Sequence, residues 1–227
     1  METKMEIKKD ITEKRAILQR DKETYAIVPH IPGGIITDTS LLKKIIEVAE
    51  KYDAQALKLT SAQRIAIVGI KEENIDSAWQ DLGADMGNAI GLCVRNVKIC
   101  PATHFCKRAI QDGVTAGLAI DAKYHKEAMP GKMKIGVSGC PNDCAEACIK
   151  DIGIVGARGG FKVYAGGQGG VRPRLSILIA ENISDEEILP LVDKIISYYK
   201  ENAKPHERMG SMIERLTLEK FKEDLLF

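Results

Sequence analysis

Apolar side chains recur at helical spacing twice in the first part of the chain. Between Asp38 and Tyr52, the residues Leu41, Leu42, Ile45, Ile46, Val48 and Ala49 form one stripe, with Asp38, Thr39 or Ser40 placed to cap its amino end. Around Glu72 to Leu82, Ile75, Ala78, Trp79 and Leu82 share a face. The segment YAIV before the first stripe, and ALKLT and RIAIVGI after it, are rich in β-formers, while Pro29, Pro32, Gly33 and Gly34 punctuate the path from strand to helix. The order β, α, β, β, α predicts a small α+β unit with one sheet and its helices on one side.

Past a soft boundary around residues 85–91 the pattern changes, and we place domains at residues 1–88 and 89–227. A helix is expected from about His104 to His125, then the strand KMKIGVSG, a short helix after Pro141, and strands at Ile152 to Val155, Phe161 to Tyr164 and Leu175 to Ile179. Ser184 and Glu187 have capping-box spacing ahead of Ile188, Leu191, Val192, Ile195 and Ile196, so a long helix starts there. The tail from His206 to Phe227 reads as two short amphipathic helices, giving a second α/β unit.

At 227 residues and 44% hydrophobic content the chain can bury a real core. Thirty-three basic against thirty-two acidic side chains leave a formal charge of +1, so no global field draws nucleic acid or an anionic membrane, and any positive site is local. The opening METKMEIKKDITEK is charged without an apolar core, and no stretch has the length that spans a bilayer, so a cytoplasmic location is expected. In that compartment six cysteines are metal ligands or core residues sooner than a disulfide framework.

Their spacing narrows the choice. Cys100 and Cys106 bracket five residues, Cys140 and Cys144 bracket three, and four thiolates arriving as two local pairs suit a four-iron cluster. In SGCPNDC, Gly139 and Pro141 make a turn able to aim backbone N–H groups at an anion. On spacing alone a structural zinc site or four unrelated core cysteines stay open, although zinc pairs usually stand closer together. Lys132 and Lys134, two apart in a strand, project to one face. By themselves they read as a solvated strand face; their nearness in sequence to Cys140 turns the reading toward a site.

The C-x5-C pair followed by SGCPNDC resembles the signature of the sirohaem-dependent sulfite and nitrite reductases. IPGGIIT (Ile31 to Thr37), KLTSAQRIAIVGI (Lys58 to Ile70), RNV (Arg95 to Val97) and PGKMKIGVSGC (Pro130 to Cys140) are similar to that family as well, and Val68 departs from the His that larger members often carry. Having the unit once, the chain looks most like the small assimilatory-type sulfite reductases. The resemblance implies an α+β fold: a ferredoxin-like N-terminal half packed on an α/β half that binds sirohaem and a [4Fe–4S] cluster, with the macrocycle between them. It implies that Cys100, Cys106, Cys140 and Cys144 ligate the cluster, with Cys144 also bridging to the sirohaem iron. Lys58, Arg95, Lys132 and Lys134 would hold the anion and deliver protons, Arg64 competing with Lys58.

Sirohaem is rich in carboxylates, which guanidinium forks suit, so Arg64, Arg108, Arg172 and Arg174 are candidates to hold it. GGQGGVRPR (Gly166 to Arg174) is expected to pass the macrocycle edge, with an ordinary hairpin loop as the alternative. His104 is a donor near the cluster or a surface residue; Cys93 and Cys148 are left over, Cys148 as a small buried side chain. The implied activity is six-electron reduction of sulfite to sulfide, with nitrite reduction to ammonia as the alternative. A non-catalytic iron–sulfur electron carrier is the reading from another class. With no second set of cysteines, electrons would come from a separate donor protein such as a ferredoxin. The expected state is a monomer or a homodimer, with neither nucleic acid nor membrane as partner.

Overall fold

The computed structural model describes residues 8–225, and the chain divides after Gly91 into two compact units. METKMEI at the start and Leu226 and Phe227 at the end lie outside the described residues. Among the described residues no helix is long and apolar enough to cross a membrane.

The first unit contains β1 (Ile17–Leu18), β2 (Thr24–Ile27), α1 (Ser40–Lys51), β3 (Ala56–Leu59), β4 (Ile65–Lys71) and α2 (Ile75–Leu82). Its strands form an antiparallel sheet in the order β1-β2-β4-β3. Most of the predicted stripes bury: Ile45 and Val48 of α1, and Ile75, Ala78, Trp79 and Leu82 of α2, close over Tyr25 and Ile27 of β2 and Ile67 and Ile70 of β4, whereas Ile46, expected in the α1 stripe, lies on its exposed side. Gly83, left-handed at φ 56°, ends α2. The ALKL of ALKLT lies at the sheet edge as β3, all four of its residues exposed.

The second unit contains β5 (Val94–Ile99), α3 (Ala102–Phe105), α4 (Gly113–Tyr124), β6 (Met133–Ser138), β7 (Ile152–Ala157), β8 (Gly160–Ala165), β9 (Ile177–Ile183), α5 (Asp185–Asn202), α6 (Met209–Leu216) and α7 (Leu218–Leu225). One sheet in sequential order β5-β6-β7-β8-β9 runs through it, parallel from β5 to β7 and antiparallel beyond. Register puts Val97, Ile99, Ile135, Val137, Ile152 and Ile154 on one face, with α4 against β5 and β6. The opposite face carries Asn96, Lys98, Lys134, Gly136, Ser138 and Gly153. Parallel strands ordinarily bury apolar side chains on both sides, so this polar, small-residue face marks where something other than a helix must lie. Together the ferredoxin-like half and the α/β half make an α+β fold.

Three predicted elements change. The helix expected over 104–125 is two, α3 and α4, separated by an irregular stretch that ends where the Asp112 side chain caps α4 by accepting the N–H groups of Val114 (3.2 Å) and Thr115 (3.1 Å). After Pro141 there is no helix but a turn with Asp143 (φ 49°) and Glu146 (φ 57°) left-handed, leading into a 3-10 turn at Ala147–Ile149. The strand expected from Leu175 starts at Ile177. The Ser184 box forms, its N–H donating to Glu187 Oε2 at 2.9 Å, and the tail is the two helices α6 and α7.

Candidate redox centre

Because β5 and β6 are adjacent and parallel, with Ile99 opposite Val137, the loops that follow them leave the same end of the sheet. Cys100 begins one loop and Cys140 lies near the start of the other. The Cys100 N–H donates to Val137 O (3.0 Å), while Cys100 Sγ accepts the N–H groups of Gly139 (3.1 Å) and Ala102 (3.4 Å). Gly139 O accepts in turn from Ile110 (2.9 Å) and Gln111 (3.0 Å). A Cβ on Gly139 would lie 2.7 Å from Gln111 O and 2.8 Å from Ala102 Cβ, so glycine is required for the two cysteine loops to touch. Cys100 and Cys140 are buried, Cys106 is half-buried, Cys144 is exposed, and all are free thiols. Two amide donors on one sulfur stabilise a thiolate, which is what a cluster ligand needs.

The segment from Cys140 onward covers the polar face of the sheet. Asp143 Oδ1 accepts from Ser138 Oγ (2.9 Å) and the Ala147 N–H (2.7 Å), and Oδ2 accepts the Cys148 N–H (3.0 Å). Ser138 Oγ accepts the Ala145 N–H at 3.0 Å. The turn sits so close on the sheet that a Cβ on Gly153 would fall 2.4 Å from Ala147 O. Glu146 pairs with both Lys98 and Lys150 at 3.0 Å, and these two cations, Lys150 foremost, hold its carboxyl below the usual range. Cys148 is exposed, not buried as expected, because its N–H is drawn to Asp143 and the 3-10 turn carries it outward; burial of the sulfur and the Asp143 carboxylate push its thiol up.

Lys132 and Lys134 are half-buried, alternating with buried Met133 and Ile135. Burial, Arg208 and Arg95 push the Lys132 ammonium down; burial, Lys132, Lys150 and Arg208 push Lys134 down. Arg95 enters this group through a bulge. The register steps from Val94 opposite Met133 to Asn96 opposite Lys134, so Arg95 is an extra residue whose side chain the bulge re-aims. Beneath the lysines Asp151, 1% exposed, accepts the Lys134 N–H (2.7 Å) and both Arg208 Nε (2.9 Å) and Nη2 (2.8 Å). Sequence reasoning missed Arg208, Asp151, Lys150 and Lys98, because nothing local marks a partner 57 residues away. Asn96 Oδ1 is buried without a hydrogen-bond partner beside Lys134, a polar atom left for a ligand. Cations of this density above a polar sheet face fit an anionic substrate and a carboxylate-bearing cofactor.

Residues 90–226 match the family described as the nitrite and sulphite reductase 4Fe-4S domain, and residues 17–85 match the nitrite/sulfite reductase ferredoxin-like half domain. The chain belongs to the nitrite and sulfite reductase family. It is 38% identical over 213 residues to an assimilatory-type sulfite reductase of Nitratidesulfovibrio vulgaris, covering 94% of this chain and 97% of that one. It is also 38% identical over 203 residues to a nitrite reductase [NAD(P)H] of Bacillus subtilis, of which it spans 25%. In fold it is similar to dissimilatory sulfite reductase I (TM-score 0.78, 15% identity, 89% of this chain and 69% of that). The Mycobacterium tuberculosis NirA protein is similar too (TM-score 0.76, 18% identity, 89% of this chain and 39% of that). As a member of this family the reductase carries a [4Fe–4S] cluster and sirohaem.

Lys58 is exposed on β3, and Arg64 is buried at the β3–β4 turn, where its N–H meets Thr60 Oγ1 at 3.1 Å; both belong to the first unit. Arg108 is exposed just after Cys106, and Arg172 is exposed. Arg174 is engaged by Glu214 of α6 at 2.6 Å. GGQGGVRPR connects β8 to β9, with Gln168 and Arg174 exchanging backbone hydrogen bonds of 2.9 and 2.8 Å. His104 is exposed and faces Asp112 at 3.2 Å. Cys93 is buried.

Proposed function

We propose that this reductase converts sulfite to sulfide. One observation carries the reading: Lys132, just before β6, and Lys134 on it lie near each other, with Arg95 and Arg208 close enough to depress the Lys132 ammonium. Bound at Cys100, Cys106, Cys140 and Cys144, the cluster and its sirohaem would supply electrons and an iron atom for the anion's central atom. The residues supply the rest. Before substrate arrives, Lys132, Lys134 and Arg95 repel one another, Arg208 being paired with Asp151, and burial adds to the cost; an oxyanion offsets the repulsion, so the site favours anions electrostatically. Arg95 remains charged throughout and positions the anion. Lys132 and Lys134, with their ammonium groups weakened, give up protons more readily than ordinary lysines and are suited to protonate the departing oxygens. Asp151 spends its charge on Arg208 and the Lys134 N–H, which keeps that cation and that strand end in place without neutralising the pocket.

Sulfite is preferred over nitrite because the chain spans nearly the whole of an assimilatory-type sulfite reductase but a quarter of the nitrite reductase. Electrons would come from a separate donor such as a ferredoxin. The test is kcat/KM for sulfite and nitrite with reduced methyl viologen, on protein whose iron, acid-labile sulfide and tetrapyrrole have been quantified. A higher value for nitrite reverses the choice of anion; a cluster without tetrapyrrole or turnover favours the electron carrier. Replacing Lys132 or Lys134 by Met should lower kcat/KM about 10²–10³-fold at wild-type iron content, and unchanged turnover would remove both from the site.

A further inference from the structure

Asp143 stands one residue before Cys144, outside the cationic pocket, in a left-handed conformation. Its carboxylate accepts three hydrogen bonds and thereby joins the end of β6, through Ser138, to the 3-10 turn at Ala147 and Cys148. Ser138 closes the loop by accepting the Ala145 N–H. Cys144 and Ala145 therefore lie inside an arc tied at both ends to one side chain. The two sides of the cysteine set differ in charge. Cys100 receives two amide N–H groups, which stabilise negative charge, whereas next to Cys144 the N–H groups of Ala147 and Cys148 are taken up by a carboxylate that is itself negative.

Net charge and donors near the sulfurs set the potential of an iron–sulfur cluster. We infer that Asp143 is a positioning residue that fixes Cys144 as a ligand and, by its charge, keeps the cluster's reduction potential low. The inference rests on the four cysteines holding the cluster. Low potential suits a centre that must pass electrons onward to a poorly oxidising anion. It also accounts for a carboxylate set directly before Cys144.

Asp143→Asn keeps the size, removes the charge and offers an amide NH2 where one oxygen accepted a hydrogen bond. Ser138→Ala keeps the charge and removes one tie. On anaerobic holoenzyme, three quantities are measured: iron and acid-labile sulfide per chain, the rate of iron release to a chelator, and the cluster midpoint by spectroscopically monitored redox titration. D143N is expected to release iron about 10- to 100-fold faster and to titrate at a more positive midpoint. S138A is expected to release iron faster at the wild-type midpoint. A wild-type release rate or a wild-type midpoint in D143N overturns the inference; if D143N does not fold, a wild-type release rate in S138A overturns it instead. Wild-type protein that holds neither iron nor sulfide would sink the cluster assignment itself, an outcome distinct from either.

Discussion

Lys134 shows how a single side chain carries both the function and its cost. Folding half-buries its ammonium beside Lys132, Lys150 and Arg208, so the folded chain binds that proton less readily than the unfolded chain does. Between the depressed value and the ordinary 10.5, the unfolded state therefore holds more protons, and stability contributed at this site rises with pH through that window. The difference in unfolding free energy between wild type and Lys134→Met should accordingly shift in favour of wild type as pH rises from neutrality toward 10.5, as read by denaturant titration. A pH-independent difference would mean the ammonium is not desolvated. Anion binding runs the other way. It needs the charged form, so KM for the oxyanion should climb at a lower pH than an exposed lysine would dictate, and K134M should lose that limb of the profile.

Elements were legible where their pattern was local. The stripes of α1 and α2, the capping box of α5 and the alternation of Lys132 and Lys134 against Met133 and Ile135 all follow from local pattern, while the cysteine spacing left a zinc site open and pointed to a cluster only with the family resemblance beside it. Three features were not legible. Asp112 caps a helix in the middle of what looked like one long stripe, Asp143 outcompetes a helix after Pro141, and the bulge at Arg95 depends on a partner strand far along the chain. The same holds for Arg208, at the amino end of α6, which reaches back to buried Asp151 between β6 and β7. Removing it with Arg208→Ala strands a carboxylate that is 1% exposed and should cost about 3–5 kcal/mol in chemical denaturation. The double variant R208M/D151L should recover much of that loss; if the single variant is neutral, the ion pair does not hold α6 to the sheet.

On the scale of the whole chain, the four candidate cluster ligands, with Lys132 and Lys134, all lie in the second unit, beyond Gly91. Ile67, fully buried at the centre of the first unit's core, tests that division. Ile67→Ala should lower stability by about 2–5 kcal/mol while iron and sulfide per chain, assayed under native conditions, stay at the wild-type level. Loss of iron in step with stability would show that the first unit takes part in holding the cluster. The parallel pairing of β5 and β6 has a consequence for how the protein is made. A parallel pair needs a long crossover, here the stretch that includes α4, so the halves of the metal site stay far apart along a nascent chain until the sheet has closed. The two cysteine pairs therefore come within reach of one cluster only as β5 and β6 pair, so cluster loading and closure of this sheet are coupled events.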